Sequence, residues 1–94
     1  MFFFHGTTEL DIDKIRKEGL SKGTFITPES NIAIKYAQSR AKWNGSKPLL
    51  LLMNLPRKER TAVKYNRSKQ PECLTKTRII DFKIVSIDAE ALDV

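Results

Sequence analysis

The chain is poor in the residues that most often anchor special chemistry. Of its 94 residues one is cysteine, Cys73, and one is histidine, His5. A single thiol excludes an intrachain disulfide, and one His with one Cys gives no metal-ligand set, so no metal site is expected. Long apolar runs are also missing. The longest, residues 49–53, is far too short to cross a bilayer, so no membrane association is expected. The apolar start, residues 1–4, has no basic segment before it and no small-residue cleavage site after it, and it reads as a first strand rather than a signal peptide. A reducing, cytoplasmic setting fits these features. Four glycines and four prolines, with 40% hydrophobic and 30% charged residues, argue against low-complexity sequence and for one small globular domain over residues 1–94.

Acidic residues are scarce relative to basic ones, eleven against seventeen, for a net charge of +6. The cations cluster in residues 14–22, 35–47 and 57–67. Such an excess favours anionic partners, whether nucleic acid, a pyrophosphate compound or an acidic protein, and it also serves plain solubility.

Periodicity places the elements. Residues 2–5 read as a short buried strand. Thr7 or Thr8 is expected to cap a helix from Glu9 to Glu18, with Glu9 and Asp11 at its positive end, Ile12 and Ile15 on its inner face, and Gly19 as its stop. Residues 23–27 read as a second strand. Thr27-Pro28-Glu29 is a helix start, and the helix runs to about Lys42 with Ala33, Tyr36, Ala37 and Ala41 on one stripe. Residues 49–55 predict a central strand buried on both faces, ended by Pro56. The basic stretch 57–69, with Glu59 as its one acid, is expected to be loop-rich with a short strand at 62–65. Further short strands are expected at 72–74 and 79–80, and a last one at 83–87. The expected fold is α+β, two small sheets flanked by two helices.

The order Phe4-His5-Gly6-Thr7, then Ile15-Arg16-Lys17-Glu18-Gly19-Leu20, then Gly23-Thr24-Phe25-Ile26 with Tyr36 eleven residues beyond Phe25, resembles the ADP-ribosyltransferase family. The diphtheria-toxin-like branch, which includes the poly(ADP-ribose) polymerases, is the nearest in pattern. The resemblance covers nearly the whole chain and implies a split β-sheet core. It also implies NAD as substrate and mono-ADP-ribosylation of a macromolecular acceptor, protein or nucleic acid. In that pattern His5, Gly6, Thr7, Phe25 and Tyr36 hold NAD. His5 bonds a ribose hydroxyl, the Gly6 backbone takes the nicotinamide amide, and Phe25 and Tyr36 stack on the ring. Glu72 at the start of a late strand is the catalytic carboxylate. Gln70, two residues before it, completes a Gln-x-Glu pair that acts on the acceptor. Arg40 and Lys42 are candidates for the pyrophosphate.

The match has departures: Phe25 stands where many relatives have tyrosine, and Ala33 where several have serine. RNA 2′-phosphotransferases share the opening His-Gly-Thr but need a second histidine, which this chain lacks. The alternative from another class is a catalytically inactive shell of the same kind that binds nucleic acid or a protein partner through its basic surface.

Overall fold

Hydrophobic periodicity builds an α+β domain. The structure is a computed structural model that describes residues 1–87. Strand β1 (Phe2–Thr8) leads directly into helix α1 (Glu9–Glu18), followed by β2 (Phe25–Ile26) and helix α2 (Ser30–Asn44). Then come β3 (Pro48–Asn54), a single 3-10 turn at Arg57–Glu59, β4 (Lys64–Tyr65), β5 (Pro71–Leu74) and β6 (Lys83–Ser86). They form two antiparallel three-stranded sheets, ordered β1-β3-β6 and β2-β5-β4. Among the described residues no helix is long and apolar enough to cross a membrane.

The apolar run of β3 takes the middle of the first sheet because it can be covered on both faces. Leu49, Leu50, Leu51 and Met53 are buried there, and Phe3 lies opposite Met53 on β1. Helix α2 lies on this sheet through Ala33, Ala37 and Ala41, all buried. Small residues let the helix come close, and Gly6 lets it come closer. A Cβ at Gly6 would sit 2.8 Å from the Ala37 amide nitrogen and closer still to the Ala33 carbonyl oxygen. Ile12, Leu20, Ile26, Leu55, Cys73 and Ile79 complete the same core. Each fully buried aliphatic or aromatic side chain contributes about 1.5–3 kcal/mol relative to exposure.

The two sheets join at one point. Phe4 and Thr27 exchange backbone hydrogen bonds, 2.7 Å from Phe4 N to Thr27 O and 3.0 Å from Thr27 N to Phe4 O. The second sheet is short and leans on hydroxyls. Thr24 N donates to Thr75 Oγ1 at 3.0 Å, Thr75 Oγ1 donates to Ser21 O at 2.9 Å, and Thr27 Oγ1 donates to Pro71 O at 2.8 Å.

Several local expectations need correction. Strand β1 runs on to Thr8, three residues past the expected end. Neither Thr7 nor Thr8 caps α1 by its side chain. The Thr8 hydroxyl is already committed, donating to Asp11 Oδ2 at 3.2 Å and accepting from Asn44 Nδ2 at 2.9 Å. The helix's first amides go instead to Lys47 O and Ser46 Oγ, both at 2.9 Å. Thr27 is likewise not the cap of α2. That position falls to Glu29, and the helix continues two residues past Lys42 to Asn44, where Gly45 in the left-handed region ends it. Tyr36 lies off the buried alanine stripe and is 64% exposed. At 79–80 only an isolated bridge forms, between Ile79 and Leu20.

Candidate functional site

The junction of the two sheets opens into a cavity of about 410 Å³. That lies within the roughly 300–1,000 Å³ of ordinary small-molecule sites. Its wall brings together residues far apart in the chain: His5 and Gly6 from β1, Phe25 from β2, Tyr36 from α2, and Gln70 and Glu72 at β5. Of the residues assigned to NAD and catalysis from the sequence, Thr7 does not line this cavity. It is buried and lines a smaller hollow of about 230 Å³ on the other side of His5 and Tyr36. Thr7 shares the face of His5 by strand alternation but lies two residues further along β1, past the end of the main cavity.

His5 is oriented by the neighbouring strand. Its Nδ1 lies 2.8 Å from the carbonyl oxygen of Phe25. A carbonyl only accepts, so Nδ1 carries the proton and donates. Burial holds the imidazole below its ordinary pKa of 6.5, with the Phe25 hydrogen bond pulling upward more weakly. At neutral pH the ring is therefore uncharged, and Nε2 presents a lone pair that can accept from a hydroxyl.

The register of the second sheet fixes Glu72. Ile26 lies opposite Cys73, and both are buried; Phe25 lies opposite Leu74 on the other face. Alternation puts Glu72 on the face of Phe25, diagonal to it on the adjacent strand, within the usual reach of a long side chain. Cys73 points away into the core, where burial pushes its thiol up against the opposing pull of Arg60. It is a packing residue, as its single occurrence suggests.

Phe25 is 63% exposed despite being a large aromatic in a strand, and Tyr36 is similarly open. Two exposed rings line one cavity, so a flat apolar heterocycle can lie against them. Gly6 has a packing task in addition to any contact with a ligand, because α2 fills the space its side chain would take.

Sequence reasoning missed Asn66, which lines the cavity. Its Oδ1 accepts from Ser68 N at 2.9 Å and from Gln70 N at 3.0 Å, closing the β4–β5 hairpin with Lys69 at φ 58°. The signal was present as an Asn two residues before a Ser, the pattern of an Asx turn. Arg40 meets Asp11 Oδ2 at 3.4 Å beside the smaller hollow and so is partly engaged. Lys42 lines neither hollow. Among the described residues no group of three His, Cys, Asp or Glu side chains is placed to hold a metal ion.

The second sheet thus delivers a carboxylate and an aromatic ring, and the first a neutral imidazole, to one open cleft. No protein-family model, curated protein or solved structure matches this chain.

Proposed function

We propose that this protein is a small mono-ADP-ribosyltransferase that takes NAD as substrate and transfers ADP-ribose to a macromolecular acceptor. The observation that carries this reading is the meeting of His5, Phe25, Tyr36, Gln70 and Glu72 around one cavity. The split pair of sheets joined at Phe4 and Thr27 supports the ADP-ribosyltransferase-like core that the sequence motifs imply.

Each residue has a task that its surroundings suit. Phe25 and Tyr36 hold the nicotinamide ring by stacking. His5 accepts at Nε2 from a ribose hydroxyl and sets the sugar's orientation. Breaking the bond between ribose C1′ and the nicotinamide nitrogen leaves positive charge on the sugar. The Glu72 carboxylate faces that charge and stabilises it, and it can take a proton from the incoming acceptor. Gln70 lies at the rim, where it can position the acceptor. The residues of the cavity therefore fit the group they are asked to hold. The chemistry needs no metal, and a cytoplasmic location would supply NAD.

Incubation of the full chain with NAD labelled in the adenylate moiety, with and without protein and nucleic-acid acceptors, tests this. Transfer of label or release of nicotinamide supports it. An absence of NAD binding, hydrolysis and transfer together rejects it in favour of a binding module.

A further inference from the structure

The β4–β5 hairpin that forms one wall of the cavity ends a strongly basic stretch of the chain. Residues 57–71 carry six of the seventeen Lys and Arg side chains and one acid, Glu59. Within the hairpin Lys64, Arg67 and Lys69 are exposed, and Tyr65 is 73% exposed between them. Strand β4 is the edge of its sheet, so this face has no neighbouring strand. The two Asn66 side-chain hydrogen bonds hold the loop closed. Asn66 and Gln70 line the cavity itself, and Lys64, directly opposite Glu72 in the β4–β5 ladder, lies on that same face. One short hairpin is therefore a wall of the site and also carries exposed Tyr65, Arg67 and Lys69.

We infer, building on the transferase reading above, that the acceptor is single-stranded nucleic acid held by Tyr65, Arg67 and Lys69. An open ring between cations is the arrangement that stacks a base while neighbouring charges follow the phosphates. A protein partner would instead surround an exposed ring with apolar side chains. The exposed hairpin neighbours of Tyr65 are Lys64, Arg67, Ser68 and Lys69, none of them apolar. Bringing a duplex base to the cleft costs unstacking and unpairing, whereas an unpaired base can be splayed towards it. In the transfer, a nucleophilic nitrogen or oxygen of the nucleotide supplies the electron pair for the new bond to C1′. The C1′–nicotinamide bond breaks, and its pair leaves with neutral nicotinamide. Any proton on the nucleophile passes to Glu72 and then to water.

The test combines covalent transfer with binding. Labelled NAD is offered with a single strand of ~16 nucleotides, the upper end of ordinary site sizes, with the matched duplex, and with poly-glutamate. The expected result is label on the single strand and not on the other two. Fluorescence anisotropy between about 50 and 200 mM salt then reads the hairpin. Arg67→Gln with Lys69→Gln should lower the log–log salt slope by about 1.4, since each phosphate contact on a single strand contributes about 0.7. Tyr65→Ala should weaken binding about tenfold and leave the slope in place. All these variants should hydrolyse NAD at the wild-type rate. NAD hydrolysis with label only on duplex or poly-glutamate, or hairpin variants that bind and modify the strand like wild type, overturns the acceptor assignment and leaves the transferase reading standing. Strand binding with no NAD binding or hydrolysis overturns both.

Discussion

In the first sheet β1 and β3 pair over seven residues and seat Phe3, Leu51 and Met53 in a dry core; in the second, strands of two and four residues rely on Thr24, Thr27 and Thr75 to fasten their backbones. Hydrophobic burial is worth several kcal/mol per side chain, whereas a net hydrogen bond contributes about 1. The first sheet is accordingly the rigid half, and the second belongs to the less stable end of the molecule. The cleft draws on both. His5 and Gly6 stand on the rigid half, and Phe25, Gln70 and Glu72 on the weaker one. A site so divided keeps its floor fixed while the wall facing an acceptor can adjust.

The contrast can be broken most forcefully at Glu72. If the weaker sheet carries the chemistry, Glu72→Gln should reduce label transfer about 10²–10³-fold, the scale of losing one charge-stabilising group, with the thermal midpoint unchanged. Leu51→Ala attacks the rigid half and should cost about 3 kcal/mol in urea unfolding, because Leu51 is fully buried in the central strand. Gly6→Ala should cost about 2 kcal/mol, since the added carbon runs into backbone of α2. Asn66→Ala should cost about 1 kcal/mol and raise amide exchange in the β4–β5 hairpin while leaving β1 and β3 protected.

The smallest effect sharpens the joint between the halves. The folded pKa of His5 lies below 6.5, so over the window between the two values the unfolded chain binds more protons than the folded one. Stability therefore rises with pH through that window, is complete above 6.5, and is lost as pH falls through the folded value. Protonation of Nε2 also removes its acceptor lone pair, so activity should fall in the same direction. His5→Phe should abolish this component of the urea-midpoint pH profile.

The rigid half was largely legible in the sequence. The bounds of α1, its inner Ile12, the stop at Gly19 and the central placement of the leucine run all follow from local spacing. The hydroxyl roles were not. Thr8 and Thr27 look like caps because their neighbours are helices, but Thr8 Oγ1 accepts from Asn44, 36 residues away, and Thr27 Oγ1 donates to Pro71 O, 44 residues away, while accepting from Glu29 N, the residue before the helix. Strands β2 and β4 fall inside the expected 23–27 and 62–65 but shrink to residues 25–26 and 64–65, because their ends are set by the partner strand β5 rather than by local sequence. For the same reason the orientation of Glu72 was not readable from Gln70-Pro71-Glu72. It depends on the pairing of Ile26 with Cys73, which sets the face that each neighbour takes. The site aromatics carry a further lesson. Tyr36 shares helical spacing with the alanines closely enough to look buried, and one step of rotation places it at the rim instead.

The close seating of α2 on Gly6 gives the cleft a hard base and adjustable sides. Deepening it would mean displacing a fifteen-residue helix together with its alanine contacts. Trimming or enlarging Phe25 or Tyr36 disturbs little else, because both rings stand in solvent. Selectivity among flat heterocycles can thus drift, or be engineered, through two surface side chains without endangering the scaffold.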